Sequence, residues 1–195
     1  MIAGPVHGRG ARVSAAAAAA LSLVLACWSY RVILLAPATV VPAPALHGAA
    51  TVDALSVSDQ RYVIGNVAIN ARKIVSDPTA LYGPGPCFPL QRPFTLGEHM
   101  FGEGLLGALP WALSHEPIFT YNVVLVVSAW IAAMAMYALV FSWTRSALAA
   151  LVAGVLFAFH PARIGDPAHP YVYGNLWTPL ARLFAYRRFA RERWW

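Results

Sequence analysis

The feature that most constrains this chain is a continuous apolar run, VVLVVSAWIAAMAMYALVF, at residues 123–141. A helix formed by this run has no polar face, and such a helix either crosses a membrane or lies inside a much larger protein. The chain has 195 residues, of which 59% are hydrophobic and 11% are charged. We therefore predict an all-α membrane protein that crosses the bilayer several times.

The apolar pattern predicts about four transmembrane helices of the length that a bilayer requires. The first span is assigned to 14–36 and carries Arg31 near its far end, where a long side chain can reach the membrane interface. Three further spans are assigned within 118–186, namely 118–142, 146–162 and 172–186. The last of them is the weakest, because a proline and an arginine interrupt it.

The N-terminal segment admits three interpretations. Arg9 and Arg12 precede SAAAAAALSLVLACWSY, which is typical of a signal peptide, and VLAC is compatible with lipoprotein cleavage before Cys27. The apolar run continues through VILLAPATVV, however, and is then longer than the usual core of a signal peptide. We prefer an uncleaved membrane anchor, with a cleaved signal peptide and a lipoprotein as the alternatives. Cys27 and Cys87 lack the spacing of a zinc site.

A long loop, 37–117, follows the first span on the predicted outer face and contains juxtamembrane helices. Within it, VIGNVAINARKIV can form an amphipathic helix with Val63, Val67 and Ile74 near one face. The segment 100–114 is shorter than the ~20 residues of a span and contains an acid and a proline. We predict that this segment lies in the interface without crossing, and that its glycines permit close helix packing.

The charge distribution sets the predicted orientation, since arginine and lysine accumulate on the cytoplasmic side of membrane proteins. If 100–114 does not cross, the cytoplasmic pieces are the tail 1–13, the turn 143–145 and the basic tail 187–195. They contain one acid, Glu192, and the outer pieces contain the other seven of the eight. Their basic residues are Arg9, Arg12, Arg145, Arg187, Arg188, Arg191 and Arg193. If 100–114 crossed, the turn and the loop after the third span would exchange sides.

Polar side chains from separate segments are predicted to meet on the outer face. They are Asp59, Glu98, His99, His160, Arg163, Asp166 and His169. Asp59 can act as general base for an acceptor hydroxyl or help to bind a divalent cation. Alternatively, Ser58 and Asp59 cap the N-terminus of a helix.

Two short stretches supply the other candidates. In GEHMFGEG, His99 and Glu103 are four residues apart and can share one face of a helix, or they are solvated residues of an interfacial helix. HPARIGDPAHP begins at His160 and offers an arginine and histidines to a phosphate group. Alternatively, it forms a polar hairpin in which Arg163 meets lipid headgroups or pairs with Asp166.

Three stretches taken together resemble a known family. The first is SDQ followed by GNVAINARKIVSDPTALYG, and the second runs from CFPLQRPFTLGEHMFGEG through the apolar run to FSWT. The third is AALVAGVLFAFHPARIGDPAHPYVYGNLWTPLA. In order and spacing they resemble the N-terminal part of bacterial multispanning glycosyltransferase-like proteins of the GT-C superfamily. The resemblance covers approximately residues 55–185.

The resemblance implies an incomplete GT-C-type helix bundle in the bacterial inner membrane. It would transfer a sugar from a polyprenyl-phosphate carrier to an acceptor at the outer face. Asp59 would be the catalytic carboxylate, and Glu98 and Asp166 would bind a divalent metal cation. The substrate would be contacted by Arg163, His169, His160 and His99.

The resemblance leaves the activity of this chain by itself open. Members of the family have more spans than are predicted here, so a separate chain carrying the C-terminal half is an expected partner, beside membrane lipid and the polyprenyl-phosphate sugar. The alternative is a non-catalytic scaffold or an inactive remnant. A transporter is disfavoured because Asn122 is the lone polar candidate within the second and third spans. Nucleic acid is not expected, since the net charge of +6 forms no basic stripe with interleaved aromatics.

Overall fold

The computed structural model describes residues 9–42, 54–83, 89, 98–167, 169 and 176–192. These residues form helices and connecting segments, with no strand among them, and the predicted all-α class is confirmed for them. Cys87 lies outside them, and Cys27 is a half-buried free thiol in the first helix. In chain order the helices are α1 (Arg9–Ser29), α2 (Arg31–Leu34), α3 (Ala54–Ser76), a 3-10 helix (Pro78–Ala80), α4 (Phe101–Ser114), α5 (Pro117–Thr144), α6 (Ala147–Ala158), α7 (Pro161–Gly165) and α8 (Trp177–Glu192).

Three helical stretches of the described residues are long and apolar enough to cross a membrane. They are Gly10–Ser29, Pro117–Thr144 and Ala147–Gly165. They overlap the first three predicted spans and support the prediction of a membrane protein, although the first helix ends at Ser29 and does not continue to residue 36. The fourth predicted span, 172–186, lies partly outside the described residues. α8 covers the remainder with 16 residues and is not one of the three, so the number of spans stays a prediction.

The third predicted span, 146–162, is interrupted where the sequence expectation had a continuous helix. α6 ends at Ala158, and His160 has an extended backbone with ψ 150° before α7 begins at Pro161. The physical reason is the proline, because its ring excludes the helical conformation from the residue before it. The break turns the following residues back towards the other helices.

Small residues allow α6 to pack closely on α5. Ala150, Gly154 and Ala158 follow one another at four-residue spacing on α6, and all are buried. A Cβ atom on Gly154 would lie 2.6 Å from the carbonyl oxygen of Ala133 on α5, so the observed approach requires glycine. Such spaced small residues are common where transmembrane helices meet, since they bring the two backbones together.

One end of the bundle, here called the arginine end, joins the start of α1, the α5–α6 turn and the last turns of α8. The Tyr137 hydroxyl donates to Ser14 Oγ at 3.4 Å, and the rings of Trp143 and Tyr186 meet edge to face with centroids 6.3 Å apart. The exposed arginines of this end are Arg12, Arg145, Arg187 and Arg188. All four were assigned to the cytoplasmic side from the sequence, and in the structure they lie at the same end of the bundle.

The opposite end, here called the loop end, joins the segment 30–42, the first turns of α5 and the segment 160–167. Asn122 Nδ2 donates to the carbonyl oxygens of Pro37 and Val40 at 2.8 and 2.7 Å. Asn122 therefore ties the chain after α1 to α5, which gives a structural reason for the one polar residue that had suggested a transporter.

α3 and α4 pack against each other and against the first turns of α5. Val63 and Val67 are buried and Ile74 is half-buried, so the predicted apolar face of α3 is confirmed. A Cβ on Gly104 would lie 2.5 Å from the Asn70 Cβ atom of α3, and one on Gly107 would lie 2.9 Å from Thr120 Cγ2 of α5. The prediction that these glycines permit close packing is therefore confirmed.

The outward face of α4 is apolar. Phe101, Leu105, Leu109 and Leu113 repeat every four residues and are all exposed. An exposed apolar stripe on a helix too short to span is expected where that helix lies in a membrane interface. The location of α4 relative to the membrane stays a prediction.

Candidate functional site

Arg163 is the most deeply buried charged group that the sequence had singled out. α7 begins after Pro161, and His160 Nδ1 accepts the backbone N–H of Arg163 at 3.2 Å. This local turn directs the arginine inward, where only 3% of the residue is exposed. Its Nη2 atom donates to Ser128 Oγ at 3.1 Å, and the Tyr30 hydroxyl is hydrogen-bonded to the same guanidinium. Arg163 therefore connects α7 with α5 and with the end of α1.

Asp166 and His169 form a close pair next to this arginine in the chain. His169 Nδ1 lies 2.9 and 3.0 Å from the two carboxylate oxygens of Asp166, so the predicted alternative pairing of Asp166 with Arg163 is replaced by this one. The side chains of His169 and Asp166 are 33% and 32% exposed. A carboxylate at Nδ1 fixes the proton there, so that Nε2 is the nitrogen that can take a proton. This is the arrangement of an oriented general base.

Tyr121 links the segment after α7 to α3. It is fully buried on α5, and its hydroxyl donates to the carbonyl oxygen of Pro167. The side chain of Gln60 is also hydrogen-bonded to this phenol, and Gln60 Nε2 donates to the Pro42 carbonyl oxygen at 2.8 Å. The backbone that carries Asp166 is thereby held against two other helices.

Asp59 lies beside this network but faces the other way. Gln60 points into the protein, whereas Asp59 is exposed on α3. α3 begins at Ala54, so Asp59 lies within the helix, and its interpretation as an N-terminal cap is wrong. The five residues before Asp59, ALSVS at 54–58, are already helical, so Asp59 cannot be the residue that caps the start of this helix. The role of Asp59 as the catalytic carboxylate stays a prediction.

Glu98 and His99 belong to the α3–α4 region. Glu98 is exposed, while His99 is half-buried with its ring centroid 4.5 Å from that of Tyr82. The His99 carbonyl oxygen accepts a hydrogen bond from Asn70 Nδ2 at 2.5 Å. His99 therefore has a packing role in the structure, and its predicted contact with substrate stays a prediction.

The predicted helical face shared by His99 and Glu103 is wrong. Met100 has a left-handed backbone conformation, with φ 51° and ψ 36°, so α4 begins after it and His99 lies outside the helix. Glu103 is on α4 and buried, and this burial raises the pKa of its carboxyl group.

The predicted metal ligands are Glu98 and Asp166. Among the described residues, no group of three or more His, Cys, Asp or Glu side chains is placed to hold a metal ion. Asp166 directs both carboxylate oxygens at His169, and Glu98 is exposed before α4. The roles of Glu98 and Asp166 as metal ligands stay a prediction.

Sequence reasoning missed four residues of this site, which are Tyr30, Gln60, Tyr121 and Ser128. Ser128 interrupts an otherwise apolar run, and a polar atom within a span usually faces a partner inside the bundle. The sequence therefore indicates that Ser128 has a polar partner. It does not identify that partner, because Arg163 is 35 residues away in the chain.

Comparison of the chain with known protein families, with curated proteins and with solved structures finds no match. Membership of the GT-C superfamily is therefore part of the proposal below.

Proposed function

We propose that this chain is a bacterial inner-membrane, multi-pass glycosyltransferase-like protein that acts at the loop end of its helix bundle. It would transfer a sugar from a polyprenyl-phosphate carrier to an acceptor hydroxyl. The observation that carries the proposal is the Asp166–His169 pair, because displacement by a hydroxyl group needs a base that removes its proton. The order and spacing of the GT-C-like stretches provide the substrate class.

His169 Nε2 takes the proton of the acceptor hydroxyl, while Asp166 holds Nδ1–H and stabilises the imidazolium that forms. The acceptor oxygen bonds to the anomeric carbon as the bond from that carbon to the phosphate oxygen breaks. Polyprenyl phosphate leaves with the electron pair, and His169 later returns the proton to water. Asp59, exposed on α3, is the alternative base.

Arg163 has a positioning role in this proposal. Its guanidinium is hydrogen-bonded to Tyr30 and Ser128 and is almost wholly buried. A group buried in this way is not accessible to the phosphate of a lipid carrier. Through these contacts it fixes α7 and hence the backbone that presents Asp166 and His169.

The test is transfer of a labelled sugar from polyprenyl-phosphate donors by the full chain, in membranes with and without any further chain that supplies additional spans. We expect His169→Gln and Asp166→Asn to lower the transfer rate about 10²–10⁴-fold, the range for loss of a general base. Glu116→Gln is the matched control, since Glu116 is an exposed acid just before α5. Transfer that is unchanged in both site variants would contradict the proposed base, and a large loss only in Asp59→Asn would assign that role to Asp59.

A non-catalytic scaffold is the second candidate. The observation that favours it is that Arg163, a buried cation of the loop end, is engaged in holding helices together. Absence of transfer from every donor, with a folded protein and with the additional chain present, would support the scaffold over the enzyme.

A further inference from the structure

A groove of about 240 Å³ lies between α1, α5 and α6 near the arginine end. Its volume and position follow from the sequence of α1, where the six residues 15–20 are all alanine. An alanine methyl group is too small to fill the space between two helices, so α1 leaves a channel beside α6. The walls of the groove are formed by Ala17, Ala18, Leu21, Ala147, Leu148 and Leu151.

The interior of the groove suits an apolar occupant. Its polar side chains are Ser14 and Tyr137, whose hydroxyl groups are hydrogen-bonded to each other, and Ser14 Oγ also donates to the Ala11 carbonyl oxygen at 3.0 Å. At the rim, Leu21 is 43% exposed and Leu148 is 72% exposed. α1 and α6 both belong to stretches that are long and apolar enough to cross a membrane. If they cross it, the open side of the groove faces the acyl chains of the bilayer.

Positive charge lies at the end of this groove. Arg145 is exposed in the α5–α6 turn, two residues before the wall residue Ala147. Its left-handed backbone conformation, with φ 57°, ends α5 and starts the chain towards α6. Arg12 is also exposed at the start of α1, but it lies two residues before Ser14 and therefore on the other side of that helix. An apolar groove that ends at an arginine matches the chemistry of a lipid with an apolar tail and an anionic headgroup.

We propose that this groove binds an anionic phospholipid, with an acyl chain between α1 and α6 and the headgroup phosphate at Arg145. The site lies at the opposite end of the bundle from the Asp166–His169 pair, and it does not depend on the proposed transferase activity. The lipid would fill the space that the alanines of α1 leave open and would support the contact of α1 with α5 and α6.

The experiment uses the full chain in nanodiscs and in detergent. Retention of palmitoyl-oleoyl phosphatidylglycerol is measured by native mass spectrometry against palmitoyl-oleoyl phosphatidylcholine. We expect preferential retention of phosphatidylglycerol, and Arg145→Gln should weaken it about fivefold, which corresponds to about 1 kcal/mol per arginine near an anionic lipid surface. Arg72→Gln is the matched control, because Arg72 is exposed on α3, away from the groove.

A second pair of variants tests the groove itself. Ala17→Leu places a larger side chain in the groove and should abolish retention of both lipids, whereas Ala20→Leu, exposed on α1 outside the groove lining, should leave it unchanged. Equal effects of the two leucine variants, or no effect of Arg145→Gln, would overturn the proposal. Retention of a second copy of the chain that Ala17→Leu disrupts would also overturn it and would identify the groove as a protein contact.

Discussion

Replacing Gly154 by alanine tests the packing of α6 against α5. In a helix interior this substitution normally gains about 1 kcal/mol, because glycine loses more backbone entropy on folding than alanine does. The added Cβ at Gly154 would lie 2.6 Å from the carbonyl oxygen of Ala133, which belongs to the backbone of α5 and cannot rotate away. Overpacking of this kind costs about 1–3 kcal/mol. Combining the two terms, we expect a net loss of up to about 2 kcal/mol.

Gly65 on α3 provides the matched control for Gly154. A Cβ added at Gly65 would meet no neighbouring atom within 4 Å. Only the entropic term then applies, and Gly65→Ala should raise the unfolding free energy by up to about 1 kcal/mol. The same chemical change is therefore expected to have opposite signs at two positions of one protein.

The assay is thermal unfolding in a mild detergent, followed by the fluorescence of the tryptophans, with denaturant titration for the free energies. For a chain of this size, 1 kcal/mol corresponds to a shift of about 2–4 °C in Tm. We expect Gly154→Ala to fall below the wild type and Gly65→Ala to rise above it. A Tm for Gly154→Ala that is equal to or above that of Gly65→Ala would refute the close approach of α5 and α6.

Three further outcomes can be measured in the same way. Asn66 has a buried carboxamide, and neither of its polar atoms has a hydrogen-bond partner among the described residues, so Asn66→Leu should be neutral or stabilising. Asn70→Leu removes two donated hydrogen bonds and should cost about 1–3 kcal/mol, and equal losses for the two variants would contradict this difference. Burial raises the pKa of Glu103 above 4.5, so stability should fall as the pH rises from 4.5 through the folded-state pKa, and Glu103→Gln should flatten that part of the profile. Ser128→Ala removes a hydrogen bond to the buried Arg163 and should cost about 1.5–3 kcal/mol, and no loss would show that this bond is not formed.

The helices could be predicted from the sequence where a long stretch of residues is uniformly apolar. The run 123–141 has no polar face, and α5 forms there as a single helix. The break before Pro161 could also be predicted from the restriction that proline places on His160, yet the apolar character of 146–162 outweighed it in the sequence interpretation. The small-residue spacing of Ala150 and Gly154 was equally readable, and it marks the face of α6 that meets α5.

The candidate site was less predictable because it depends on the direction in which each side chain points as well as on its position in the chain. Asp59 and Gln60 are neighbours in the chain, but one is exposed and the other is buried. The helical period predicts which of the two is buried only when the residue at which α3 begins is known. His99 and Glu103 have the right spacing for one helical face, and the left-handed conformation of Met100 removes that relation. A local sequence does not specify where a helix begins to within the single residue that such an argument requires.

The surroundings of Arg163 show that the charge of a residue does not by itself determine its role. In the sequence it lies in a polar stretch after an apolar span, where an arginine suggests a lipid headgroup or a phosphate. Burying a guanidinium is costly unless it finds acceptors, and here the hydroxyls of a tyrosine just after α1 and of a serine within α5 accept hydrogen bonds from it. The hydroxyls that make this burial affordable come from two other segments, neither of them adjacent in sequence. The polar residues within the apolar helices therefore determine the role of the arginine, and its removal should disturb helix packing and the presentation of the Asp166–His169 pair together.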